Sequence, residues 1–246
     1  MLDRFAYTAM TGAKHAMGQL ANTTNNLANA QTPGFREMLA SFRAVPVRGA
    51  SADSRAFVVD STPGSNFSAG QVVVSDDPYD VAIDGRGFLS VYRSDGSEGY
   101  TRSGKMMLSG DGVLRTPTGN AIVNGDGGEM RIPEGMTNVV IEPNGAIRGT
   151  LSGDSVQVGR LKLVDVDPRV LDRGLDGFFE TTAGPLEMSD SVRVRQGAYE
   201  MSNVNVAGAM VDLIEENRMF ELNLRLVQVA EQNSRSAGAL ITLSRV

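Results

Sequence analysis

The chain has 246 residues, 41% of them hydrophobic and 21% charged, and 23 basic against 29 acidic residues give it a net charge of −6. That is apolar content enough for a buried core in one large or two ordinary domains, and no dense basic block offers a nucleic acid a footing. With no cysteine there are no disulfides, thiolate metal sites or Cys nucleophile, and a single histidine, His15, argues against a His-based triad or a His-rich metal site.

All nine prolines fall between Pro33 and Pro185, and twenty of the 28 glycines lie between residues 80 and 200. Both residue types disfavour helix interiors, so the two ends of the chain are free to be helical and the middle is not. At the N-terminal end Ala6, Met10, Ala13, Met17, Leu20, Thr24 and Leu27 follow steps of four and three, a narrow heptad-like stripe of mostly small side chains. This predicts a helix that runs to the Asn25-Asn26-Leu27-Ala28-Asn29 segment. Three asparagines in five positions exceed what a helix stop before Thr32-Pro33-Gly34 requires, and they point to carboxamides bonding backbone or a neighbouring chain.

Residues 36–75 read as an extended connector, strand-like at Phe57-Val58-Val59 and loop-like at Ser51 to Asp53 and Ser61 to Gly64. Residues 76–203 read as a β module. Val81-Ala82-Ile83, Phe88-Leu89-Ser90-Val91-Tyr92, Val139-Val140-Ile141 and Arg160-Leu161-Lys162-Leu163-Val164 are strand-like. Turn signals at Asp84-Gly85, Asp95-Gly96, Asp111-Gly112, Thr118-Gly119-Asn120, Asn124-Gly125 and Asn144-Gly145 separate them. Turns at this density suggest a sandwich or barrel-like module. A second long helix follows from about residue 204, capped by Asn203 or Asn205. Its stripe runs through Val206, Met210, Leu213, Phe220, Leu224, Val227 and Ile241, a second apolar row through Met219, Leu222, Leu226, Val229 and Leu240, and Glu231 stands at i,i+4 from Arg235. The fold class expected is therefore mixed α and β. Residues 1–35 and 204–246 form a helical assembly domain packed as a coiled-coil-like pair, and a central all-β module lies between them in sequence.

Candidate chemistry is thin. Asp76 with Asp77, Asp80 with Asp84, and Asp165 with Asp167 are neighbours in sequence, but a glycosidase needs two carboxyls facing across a cleft, and turn-forming acids explain them as well. Gly85-Arg86-Gly87 lacks the third glycine of a dinucleotide fingerprint, and Asn124-Gly125-Asp126-Gly127-Gly128 lacks the spacing of a calcium loop. No catalytic, cofactor or metal residue is expected. Met1 to Tyr7 lacks a secretory signal, and the longest apolar run, Ala56 to Val59, cannot span a bilayer. Any exit from the cytoplasm is expected to need no cleaved signal peptide.

The segment Asn25-Asn26-Leu27-Ala28-Asn29-Ala30-Gln31-Thr32-Pro33-Gly34-Phe35-Arg36 resembles the N-terminal signature of bacterial flagellar rod, hook and hook-associated axial proteins. The partner motif at the other end, Gln196-Gly197-Ala198-Tyr199-Glu200-Met201-Ser202-Asn203-Val204-Asn205, is similar too, as are Asp80 to Gly85 with Gly87-Phe88 and Tyr100-Thr101-Arg102 with Gly104 in between. Tyr199 and Gln31 depart from the family's usual leucine and asparagine or serine. Tyr7 to Ala13 and Arg43 to Val47 are most similar to a proximal-rod member that carries a β module. The resemblance implies a non-enzymatic subunit of the flagellar basal-body rod. It would be exported by the flagellar type III apparatus and would assemble with itself and other rod proteins through its terminal helices, crossing the periplasm. Distal-rod or hook-type membership, and a peptidoglycan-directed enzyme that would use Asp76, Asp80 or Asp84, are the alternatives, with a phage-tail or adhesin-like β protein behind them. The expected assembly residues are Asn25, Asn26, Leu27, Asn29, Thr32, Gly34, Phe35, Asn203, Asn205, Met210, Leu213, Phe220, Leu224 and Val227. A seam this poor in large side chains buries little area, so the termini are expected to order only against neighbouring subunits.

Overall fold

The structure, a computed structural model, describes residues 2–46, 56–182 and 184–243, of which 6–39, 64–182, 184–233 and 235–236 carry described side chains. The expected features at Val47, at Ser51 to Asp53 and at the side chains of Leu240 and Ile241 lie outside that set. The fold is mixed α and β, with one helix at each end of the chain and a β-rich part between them. It divides into two compact units.

The first unit holds helix α1 (Leu2–Ala28), helix α2 (Val206–Leu243) and a hairpin of β1 (Met38–Pro46) with β2 (Ala56–Ser65). The helices lie antiparallel: Thr23 of α1 meets Glu216 of α2, and Gly12 meets Asn223. The hairpin occupies most of the stretch expected as an extended connector. Ser61 to Gly64, loop-like by composition, is strand here, because Ser61 pairs with Ser41 and Gly64 with Leu39 across an antiparallel ladder. The register shifts between Leu39 and Ser41, as a β-bulge does, and this lets the polar, glycine-containing strand follow its partner.

The second unit comprises residues 31–36 and 67–203. Its strands form a five-stranded sheet in the order 163–164, 88–92, 98–101, 179–180, 172–173, a three-stranded sheet in the order 154–160, 146–151, 137–141, and three two-stranded ladders. Among the described residues no sheet closes into a barrel. Short strands interrupted by tight turns keep each sheet narrow. The strand expected over Arg160 to Val164 is broken at residues 161–162. There Leu161 donates its N–H to Gly145 and Lys162 to Val123, so the backbone changes partners in mid-run.

Most turn signals fall on turns. Gly85, Gly96, Gly112, Gly119 and Gly145 all have positive φ, whereas at Asn124-Gly125 the positive φ lies two residues on, at Gly127. The main core gathers Leu89, Val91, Leu114, Ile122, Ile147 and Leu161, all fully buried. In a second cluster Phe88 meets Phe67 and Phe179 edge to face, with those two rings tilted 44° to each other, beside Tyr100, whose hydroxyl accepts from Leu186 N–H at 2.8 Å.

Candidate assembly surface

The contact between α1 and α2 is built from small residues. Ala9, Ala13 and Ala16 are buried on α1, and Ala209 and Ala230 on α2. An added Cβ on Gly12 would stand 2.6 Å from Asn223 Oδ1, so the backbones approach more closely there than larger side chains allow. The inward row of α2 runs Ala209, Leu213, Glu216, Phe220, Asn223, Val227 and Ala230, in strict steps of four and three.

This corrects the stripes read from sequence. Leu213, Phe220 and Val227 are half-buried in the seam, but Met210 and Leu224 are exposed, at 50% and 42%, and so are Met10 and Met17 of α1, at 59% and 62%. The seam shares Ala13, Leu213, Phe220 and Val227 with the expected stripes, and its alternate positions lie one residue earlier, at Ala9, Ala16, Ala209 and Asn223 in place of Met10, Met17, Met210 and Leu224, because the small side chains allow the closer contact. The second row of α2 (Met219, Leu222, Leu226 and Val229) is exposed throughout. The paired helices thus present a broad apolar surface to solvent. Monomeric proteins seldom leave one uncovered.

The seam also buries polar groups. Glu216 accepts the Thr23 hydroxyl at 2.9 Å on Oε1, while its Oε2 is buried without a partner among the described residues. Desolvation raises the Glu216 carboxyl above its ordinary value; the Thr23 bond opposes this, and Asp212 one turn away reinforces it. Asn26 is fixed by Met38, donating to its carbonyl at 2.9 Å and accepting its N–H at 2.7 Å, so a carboxamide caps the first rung of the hairpin. Asn29 bonds back to the Asn25 carbonyl at 3.0 Å, Asn25 itself is exposed, and Leu27 is half-buried. Asn205 caps α2, accepting from Gly208 N–H at 3.2 Å and, on its carbonyl, from Ala209 N–H at 2.9 Å.

In the β-rich unit the two terminal motifs meet. Phe35 N–H returns to Thr32, which is exposed, and closes the Thr32-Pro33-Gly34-Phe35 turn at 3.2 Å. Gly34 has φ +69° there, as the third residue of a type II turn requires. Its N–H donates to Glu200 at 2.7 Å, and a Cβ on it would stand 2.0 Å from Ser103 N, so no other residue fits. Asn203 N–H reaches the Phe35 carbonyl, and Asn203 Nδ2 donates to Ser68 at 2.9 Å.

Behind the turn lies a buried ion cluster. Glu200 binds Arg36 at 2.7 Å through Oε1 and Arg102 at 2.6 Å through Oε2, and also accepts Gly70 N–H at 2.7 Å. Arg102 further donates to the carbonyls of Ile83, Gly85 and Gly87, which gives the Gly85-Arg86-Gly87 run a structural use. Burial alone would raise the Glu200 carboxyl, but Arg102, Arg36 and the Gly70 N–H overcome it and hold the group below its ordinary value. Arg36, Arg102 and Glu200 all stand in the motifs quoted from sequence, yet neither type nor spacing shows that one carboxylate serves both arginines across 164 residues of chain.

Of the carboxylates an enzyme would call on, Asp80 is buried and accepts from Ser75 Oγ at 2.6 Å and Met106 N–H at 3.1 Å, and Asp76 and Asp84 are exposed. Among the described residues no group of His, Asp and Glu could hold a metal, and no helix is long and apolar enough to cross a membrane.

Comparison with known proteins gives the class first. Residues 82–149 match the family described as flagellar hook protein FlgE/F/G D1 domain, and residues 195–240 the flagellar basal body rod FlgEFG protein C-terminal family. These are axial proteins of the bacterial flagellum. The chain is 39% identical to the flagellar basal-body rod protein FlgF of Escherichia coli, over 99% of this chain and 100% of that one, and 38% identical to its Salmonella typhimurium counterpart over the same shares. To the basal-body rod protein FlgG of Buchnera aphidicola from Acyrthosiphon pisum it is 30% identical, over 85% of this chain and 88% of that one. The chain belongs to the FlgF family of flagellar basal-body rod proteins.

Proposed function

We propose that this chain is a structural, non-enzymatic subunit of the flagellar basal-body rod, in its proximal part, joining other rod proteins and copies of itself through its terminal helices. The apolar surface that α2 leaves uncovered carries the reading: Met210, Ile214, Met219, Leu222 and Val229 are each about half exposed on a helix the family likeness includes. Burial of that surface against neighbouring helices would supply the driving force that the alanine seam lacks. The assembly residues named from sequence then divide. Met210 and Leu224 face neighbours, whereas Asn26 and Asn205 hold the hairpin and the start of α2 within the helical unit, and Gly34, Phe35 and Asn203 close the turn within the β-rich unit.

The same reading has the chain exported through the flagellar apparatus without a cleaved signal peptide, and working where the rod crosses the periplasm with no cofactor and no nucleic acid. A distal-rod or hook-type role is less well supported, since identity to the FlgG protein is lower than to the two FlgF proteins. Mass spectrometry of hook–basal-body particles purified from the source cell tests it. Stoichiometric recovery with the rod fraction is expected, and absence from particles that contain the other rod proteins would overturn it.

A further inference from the structure

The turn that joins the two terminal motifs carries more positive charge than its own partners answer. Arg36 and Arg102 share Glu200, but Arg173, next to them, makes no ion pair among the described residues. Its guanidinium carbon lies 4.5 Å from the centre of the Phe35 ring and 5.1 Å from that of Phe179, and Nη2 donates to the Arg36 carbonyl at 2.8 Å. The two rings sit beside the guanidinium, so a carboxylate partner would come to its N–H edge. The Nε atoms of Arg173 and Arg36 are both buried without an acceptor among the described residues. Desolvation, with no carboxylate to oppose it, brings Arg173 down to about 10. Glu200 answers Arg36 and Arg102, whereas no carboxylate pairs with Arg173 among the described residues, although a charge taken out of water is normally paired.

We propose that Arg173 receives a carboxylate side chain from an adjacent subunit, a second copy of this chain, and that the cluster around Phe35 and Arg36 is complete only in the assembly. This rests on the rod-subunit reading. A flat, fixed guanidinium rim matches a carboxylate with two parallel hydrogen bonds. Arg173 keeps partial exposure, so the approach needs no unfolding of the turn. A second copy has carboxylates to offer: the chain has six more acidic than basic residues, and Asp76, Asp154 and Glu187 are exposed and make no ion pair among the described residues.

The full chain, carrying isotope-labelled arginine, is titrated with sodium acetate as the carboxylate probe and with sodium chloride at matched ionic strength. The Arg173 Nε–H resonance is expected to move saturably with acetate and not with chloride, while that of Arg102 stays in place; an Arg173 resonance indifferent to acetate overturns the proposal. In sedimentation, the wild-type chain is expected to self-associate more strongly at low salt than R173M, and identical behaviour of the two overturns the choice of a second copy. In cells, R173M is expected to reduce the chain's recovery in hook–basal-body particles several-fold, with R173K intermediate, and recovery of R173M at the wild-type level again contradicts the proposal. If the wild-type chain itself is missing from particles, the rod reading fails, and the acetate titration still decides whether Arg173 binds a carboxylate.

Discussion

The two units of this chain bury different things. In the β-rich unit the fully buried positions are Leu89, Val91, Leu114, Ile122, Ile147 and Leu161, side chains whose burial contributes about 1.5–3 kcal/mol each. Among the described side chains of the helical unit the buried apolar positions are Ala9, Ala13, Ala16, Ala209 and Ala230, with little beyond a methyl group apiece, while Leu213, Phe220 and Val227 are only half-buried and Met10, Met17, Met219 and Leu222 are exposed. Ordering a residue costs about 1–2 kcal/mol in backbone entropy, so the β-rich unit can meet that cost internally and the helical unit only barely. A region whose fully buried residues are small and most of whose large ones are exposed is what the proposed assembly would cover.

Substitutions can break this contrast, and the largest expected effect lies in the β-rich unit. Glu200→Gln leaves Arg36 and Arg102 buried beside a neutral amide, and a loss of about 3–5 kcal/mol is expected in denaturant unfolding of that unit. Gly34→Ala forces a left-handed turn residue against the Ser103 backbone, with at least about 1–3 kcal/mol lost from strain alone in the same measurement. Gly12→Leu overfills the helix contact at Asn223 and is expected to cost about 1–3 kcal/mol in the helical unit, visible as lost helical circular dichroism, while the β-rich unit's transition stays in place.

Acidification separates the units by sign. Glu216 has a raised folded-state value, so its penalty is absent below about 4.5, grows as pH rises toward that value and is constant above it; the helix pair is expected to gain from mild acid. Glu200 is held low, so its contribution is present above about 4.5 and is lost as pH falls toward its folded value. Helical content followed against pH in the wild type and in Glu216→Gln isolates the first effect, and a pH profile unchanged by the substitution would contradict it. The smallest effect on the free chain is expected from Leu222→Arg on the exposed face of α2. It should shift unfolding by no more than about 0.5 kcal/mol and yet remove the chain from hook–basal-body particles.

The sequence announced the elements better than their contacts. Proline-free ends, Asn205 as a cap and most of the Asp-Gly and Asn-Gly turns were legible because each rests on local backbone chemistry. Strand character at Phe57 to Val59 was legible too, but the hairpin of β1 and β2 was not, since Ser61 to Gly64 read as loop and the pairing is a cross-strand ladder that composition does not reveal. The helix seam agrees with the expected stripes at Ala13, Leu213, Phe220 and Val227 and departs by one residue at the positions between. Periodicity weights large apolar residues, whereas here Ala9, Gly12 and Ala16 make the contact and Met10 and Met17 face out. The asparagines were rightly singled out as more than a helix stop, but where Asn26 and Asn203 bond could not be read, because Met38 and Ser68 are set by the fold. The Arg36–Glu200–Arg102 cluster joins three motifs that one sequence shows only side by side.

Hydrogen exchange on the free monomer, repeated on rods that contain the chain, tests the central claim most directly. In the monomer, amides at Leu89, Ile122 and Leu161 are expected to exchange slowly and those through residues 5–30 and 210–240 quickly, with the helical amides joining the slow class only in the rod. Helical amides as protected as the β core in a proven monomer would contradict the account.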